Sequence, residues 1–169
     1  MARAALVASG LVASGLVALA LLWAVPDASA ETVTGNSALA LASLVADQSP
    51  SLSLDDKSVM SQLIHASPNF SYMPSKKIAV EADAVACRQS NVDITARSCE
   101  LTFGGRKVTV VGRKAHELFA TMHEVGIEPE GAAGTSHEGI SHLACVIDLE
   151  EVKQKAGGGA GCKFDREEK

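Results

Sequence analysis

Four cysteines constrain this chain more than any other feature: Cys87, Cys99, Cys145 and Cys162 all lie far downstream of an apolar leader. The leader, residues 1–30, places Arg3 ahead of an apolar run from Ala4 to Val25, then Pro26 and the small-residue triplet Ala28-Ser29-Ala30. That order of parts reads as an export signal cleaved to leave Glu31 as the new N-terminus. The apolar run is also long enough to span a bilayer, so a membrane-tethered envelope protein of structural role is an alternative, although no basic cluster follows the run. An even number of cysteines behind an export signal predicts two disulfides and a periplasmic or extracellular location. The spacings contain no C-x-x-C knuckle, and an oxidising compartment disfavours thiolate ligands, so no metal-thiolate site is expected.

Residues 31–169 are enough for one domain with its own core. Arg3 and Asp27 cancel in the leader, so the net charge of −5 belongs to the mature part. An acidic chain with 4% aromatic residues suits neither a phosphate backbone nor an anionic lipid surface. Nucleic acid is excluded as a partner, and no membrane contact is expected once the signal is removed.

Periodicity divides the mature part. Residues 31–52 read as a flexible or partly helical lead-in with Ser37 as a candidate cap. Ser53 and Asp56 have capping-box spacing ahead of an apolar stripe of Val59, Met60, Leu63 and Ile64, which predicts a helix ending near His65. "KKIAVEADAVACRQ", "SCELTF" and "KVTVV" read as strands, the first as one continuous alternation from Ile78 to Cys87. Folding the last two about Gly104-Gly105 sets Phe103 against Arg106, Leu101 against Val108 and Cys99 against Val110. Folding the first pair about residues 92–94 sets Cys87 against Cys99. The result is a three-stranded meander with one cross-strand bridge, leaving Cys145 for Cys162.

Ala115, Leu118, Phe119, Met122 and Val125 form one stripe of an amphipathic helix from Arg113. Gly126 fits the left-handed position just past its end, with Ile127 placed against Met122 and Pro129 blocking continuation. Thr135 and Glu138 have capping-box spacing before a helical stripe from Ile140, which favours a short helix over about Ser136–Ala144 followed by a strand. Leu143, Cys145, Ile147 and Leu149 fit one face of a strand equally well. "DLEEVKQKAGGG" reads as a short helix capped by Asp148 or as more strand, and "AGGGAG" as a flexible connector.

Five histidines invite a search for chemistry. "SHEGISH" comes within one residue of the zinc-protease signature H-E-x-x-H, in which histidines four apart share a helix face. His137 and His142 are five apart, a rotation of about 140° on a helix, and fall on opposite faces of a strand. A small metal-dependent hydrolase using His137, Glu138 and His142 is therefore the alternative reading, and no metal is the leading one. His116 and His123 share a helix face but stand about 10.5 Å apart along its axis, too far for a shared ion, so they read as boundary residues. "GTSHEG" has Ser136 where a nucleophile elbow has its serine, but Glu138 replaces the second glycine that the crowded turn needs. "AGGGAG" lacks the Gly-Lys-Ser/Thr of a phosphate loop.

The remaining candidates are surfaces. The loop "SPNFSYMPSKK" carries Phe70, Tyr72 and Met73 between two prolines, a stiffened segment with apolar tips suited to a partner's groove, and Asn69-Phe70-Ser71 is a glycosylation sequon. The expectation is an α+β domain over residues 53–164 with a charged tail at 165–169. Its antiparallel sheet has about four strands, the meander plus one, packed against the Arg113–Val125 helix, with a further N-terminal helix and two disulfides. Function is expected to be non-enzymatic and free of cofactors: binding, possibly inhibitory, to another exported or envelope protein through exposed loops.

Overall fold

In the computed structural model the described residues are 30–65, 73–90, 93, 95–128, 138–155 and 158–168. They form an α+β fold with a seven-stranded antiparallel sheet and four helices. The order along the chain is β1 (Glu31–Thr34), α1 (Asn36–Gln48), α2 (Leu54–His65), β2 (Lys77–Ala82), β3 (Ala84–Gln89), β4 (Arg97–Phe103), β5 (Arg106–Val111), α3 (Arg113–Glu124), β6 (Glu138–Asp148), α4 (Leu149–Gln154) and β7 (Ala160–Glu168). Across the sheet the order is β1-β7-β6-β3-β4-β5, with β2 also paired to β6. The meander has the expected register, with Cys87 opposite Cys99, Cys99 opposite Val110 and Phe103 opposite Arg106. Both expected bridges are present, Cys87–Cys99 and Cys145–Cys162.

The sheet is larger than about four strands for three physical reasons. First, residues 138–148 form one long strand, so the helix expected over Ser136–Ala144 is absent from its described part. Burial of Leu143, Cys145, Ile147 and Ile140 on the core face outweighs the helical stripe, and a register shift between Ile140 and His142 lets two buried residues three apart face the same way. Second, the expected continuous strand from Ile78 to Cys87 breaks at Asp83. Ile78, Val80 and Ala82 are buried before it, and Val85 and Cys87 after it, so the inward set changes parity there. Asp83 makes that change productive: its N–H donates to the Thr102 carbonyl, and its carboxylate accepts from the Gly105 N–H at 3.0 Å in the neighbouring hairpin turn. Third, β1 and the full length of β7 are added at one side. β7 runs through Asp165–Glu168, the stretch expected as a charged tail, and β1 and α1 occupy the expected lead-in.

The two ends of the sheet repeat one arrangement. At one end an edge strand, β1, passes through Gly35 into α1; at the other, β5 passes through Gly112 into α3. The two glycines share a conformation, φ 78°, ψ −148° and φ 69°, ψ −142°. In each helix the third residue after the glycine is a fully buried alanine, Ala38 or Ala115, followed at the same spacings by Leu41 and Val45 or Leu118 and Met122. The alanine brings the first helical turn down onto a disulfide: Cys162 Sγ lies 3.5 Å from the Ala38 carbonyl oxygen, and Cys99 Sγ 3.6 Å from that of Ala115. Gly35, not Ser37, is therefore the residue at which α1 starts. Because φ is positive at both glycines, Gly35→Ala and Gly112→Ala are each expected to cost about 1–3 kcal/mol of stability, measured by urea unfolding, even though the added methyl meets no neighbour within 4 Å.

The helices cover one face of the sheet. α2 begins at the expected capping box, with Asp56 N–H donating to Ser53 Oγ at 3.1 Å, and buries Met60 and Leu63. α3 ends as expected, with Gly126 N–H bonded to the His123 carbonyl, Ile127 N–H to that of Met122, and Ile127 and Met122 both fully buried. Of the two readings of residues 149–154, the capped helix holds: the Asp148 carboxylate accepts the Glu150 and Glu151 N–H groups at the start of α4. The expected flexible connector includes a turn at Gly158-Gly159 whose Gly159 carbonyl accepts the Asp148 N–H at 2.7 Å.

Arg166 closes the β1 side. Its guanidinium binds the Glu31 carboxylate through two nitrogens, Glu138 at 2.8 Å and the Gly126 carbonyl at 2.7 Å, joining β1, β6, β7 and the end of α3. The Arg166 hydrogen bond holds the Glu31 carboxyl below the usual carboxylate range. Hydrogen bonds from Lys76 and then Ser53 do the same for Asp56. A carboxyl whose folded pKa is depressed contributes stability that is complete above its unfolded pKa, about 4, and is lost as pH falls through the folded value. The urea midpoint is therefore expected to hold from pH 7 to about 5 and to fall below about pH 4.5, with a shallower fall in Glu31→Gln. Arg166→Met is expected to cost about 1–2 kcal/mol at pH 7, limited because the side chain is one-third exposed.

Candidate functional site

A cleft of about 800 Å³ opens at the β5-to-α3 end of the sheet. Arg88, Arg97 and Arg113 supply its charge, His116 joins its lining, and Val111 forms its apolar rim. Each arginine is oriented by its own Nε: Arg88 donates to Ser98 Oγ at 3.3 Å, Arg97 to Gln89 Oε1 at 3.3 Å, and Arg113 to Glu117 Oε1 at 2.7 Å. Arg97 is held further by Nη1, which donates to His116 Nδ1 at 2.8 Å, and by the Phe119 ring, whose centroid lies 4.3 Å from its guanidinium carbon. A guanidinium has only protons to give, so this His116 nitrogen accepts and carries none. Among the described residues, neither Arg88 nor Arg97 forms an ion pair.

The register sets these groups around a strand end. Arg88 stands opposite Ser98 on the open face of the sheet, whereas Arg97, the next residue back along β4, turns to the helix face to meet His116 and Phe119. Two carboxylates belong to the same neighbourhood. Glu117 is taken by Arg113, and Asp93 lies in the β3–β4 loop, where the Thr95 hydroxyl and N–H hold its carboxyl below the usual range. Ser98 is engaged by Arg88 and His116 by Arg97, so these two are not joined as nucleophile and base.

The same position at the other end of the sheet, beside Gly35, is also a cleft, but its charges are balanced. Lys77, Lys155, Asp148 and Glu151 line it, and Lys77 pairs with Asp148 at 3.1 Å. Matching backbone with different charge means that the fold does not itself require the arginines.

Of the candidates from sequence, Met73, Glu138 and His142 do not line this cleft. Met73 is buried at 7% exposure and is withdrawn from any contact surface, while Phe70 and Tyr72 lie outside the described residues. His137 and Ser136 also lie outside them. Glu138 is bound by Arg166, and His142 is exposed opposite Asp165, four residues further along β6. Four residues of strand separate them by roughly 13 Å, too far to share one ion. No group of three His, Cys, Asp or Glu side chains converges among the described residues. His116 and His123 are both exposed on α3, His116 against Arg97 and His123 beside Glu128 at 3.3 Å. The arginine cleft was missed because its members are scattered over residues 88–116; the signal was present as Arg88 and Arg97 at the ends of a hairpin whose register was already in hand.

No protein-family model, curated protein or solved structure matches this chain. No described helix is long and apolar enough to cross a membrane. The two disulfides are consistent with an oxidising compartment.

Proposed function

We propose that this chain is an exported, non-catalytic domain that binds another exported or envelope protein at the β5–α3 end of its sheet. The observation that carries this reading is the set of arginines fixed by their Nε atoms around an open cleft, with the terminal nitrogens of Arg88 and Arg113 and Nη2 of Arg97 left to meet a ligand. A rigid frame lowers the entropy lost on association, which favours binding by groups already in position. The leader supports export, and the arrangement of Ser98 and His116 supports recognition over acyl transfer. The reading moves from the loop around Phe70 to the arginine-lined cleft because Met73 is part of the core.

Two measurements test the reading. The N-terminal sequence of the mature protein is expected to begin at Glu31; an intact leader would favour the tethered alternative. Oxidised protein immobilised in its native exported fraction is expected to retain one protein stoichiometrically, and reduced, alkylated chain is expected to retain none. Failure of the oxidised protein to retain any protein specifically contradicts the reading.

A further inference from the structure

We infer that the cleft at Arg88, Arg97, Arg113 and His116 receives the carboxylates of an acidic, extended segment of the partner. This inference deepens the binding reading and rests on it. Three arginines near one cleft repel one another, and the matching cleft beside Gly35 shows that the fold is built without them. Their Nε atoms are committed to Ser98, Gln89 and Glu117, and Nη1 of Arg97 to His116, so what remains is the Nη edge of Arg88 and Arg113 and Nη2 of Arg97. Such an edge matches the paired oxygens of a carboxylate.

The distribution of the arginines selects the shape of the ligand. Arg88 lies on the open face of the sheet and Arg97 on the helix face, one on each side of the strand end. A segment that carries acidic groups in succession can wrap the strand end and meet both. Val111, 67% exposed at the rim, offers such a segment an apolar contact that an inorganic ion cannot use. The chain as a whole is acidic, with a net charge of −5, so a negatively charged partner is disfavoured away from this cleft.

The test is a titration of the oxidised, nitrogen-15-labelled protein, read at the arginine Nε–H signals and the amides around Arg88, Arg97 and Arg113. The probes are a blocked peptide of alternating glutamate and alanine, its glutamine counterpart, citrate and inorganic phosphate. The glutamate peptide is expected to saturate these signals and to weaken as salt rises. The glutamine peptide is expected to give no shift, and citrate and phosphate to bind at least about tenfold more weakly. Arg88→Gln, which among the described residues gives up only the side-chain bond to Ser98, is expected to weaken the glutamate peptide about tenfold, equivalent to about 1.4 kcal/mol, with an unchanged urea midpoint. Arg97→Gln should weaken it further.

Equal binding of the glutamine peptide, or undiminished binding in both variants, overturns the inference. Tighter binding of phosphate or citrate overturns the acidic segment in favour of a free oxyanion or a small polycarboxylate. If the immobilised protein retains a partner but the peptide gives no shift, this inference fails and the binding reading stands. If the peptide titrates as expected but no protein is retained, the partner reading fails while the carboxylate preference remains.

Discussion

Replacing Cys145 and Cys162 by alanine is expected to lower the unfolding free energy by about 3 kcal/mol, and replacing Cys87 and Cys99 to lower it by a similar amount. The bonds span 17 and 12 residues, and the entropy removed from the unfolded chain grows only with the logarithm of that span. Each bridge also fills the space beneath a helix start, under Ala38 in one case and Ala115 in the other, so its removal loosens both a strand pair and the helix above it. A domain of this size has only about 5–15 kcal/mol of net stability. Loss of both bonds is therefore expected to leave the chain largely unfolded at 37 °C. Urea unfolding followed by circular dichroism, with the two paired variants and the fourfold variant side by side, checks this. Unchanged midpoints in both paired variants would show that the bridges lie outside the stabilising frame.

Phe164→Ala is expected to cost about 3–5 kcal/mol. Phe164 is 2% exposed in β7, opposite Leu143 on one side and Glu31 on the other, where β1, β7 and β6 meet. Its loss removes a large ring from a region closed by the Arg166 bonds, which restrict collapse around the void. Lys163→Ala, one residue away on the open face, is expected to change stability by no more than about 0.5 kcal/mol. The ratio of the two costs measures which face of β7 carries the core, and near-equal costs would contradict the orientation of the sheet.

Much of this fold was legible because two local rules agreed. Gly104-Gly105 fixed the register of β4 and β5, and that register carried through to Cys87 and Cys99, so one bridge followed from strand geometry and the other by elimination. The end of the Arg113 helix was legible to within one residue because its apolar stripe, Gly126 and Ile127 all point to the same place. The 138–148 segment was not, since Ile140, Leu143 and Ile147 satisfy a helical period while Leu143, Cys145 and Ile147 satisfy a strand. What decides between them is a neighbour: β7 supplies Cys162 and Phe164 across from Cys145 and Leu143. The break at Asp83 was hidden for a similar reason, because alternation looks continuous on paper until burial shows which side changes. The cleft depended on position in space, and an arginine on its own has no pattern. Only the pairing of β3 with β4 and the docking of α3 bring Arg88, Arg97 and Arg113 to one place.

In this account the arginine cleft, the core and the repeated helix starts all depend on adjacent strands being joined by sulfur. Protein taken from its native source, alkylated without reduction and digested, tests this most directly. The expected result is two linked peptides, one holding Cys87 with Cys99 and the other Cys145 with Cys162, and no alkylated cysteine. Alkylated thiols at these positions, or links that cross between the two pairs, would contradict the account.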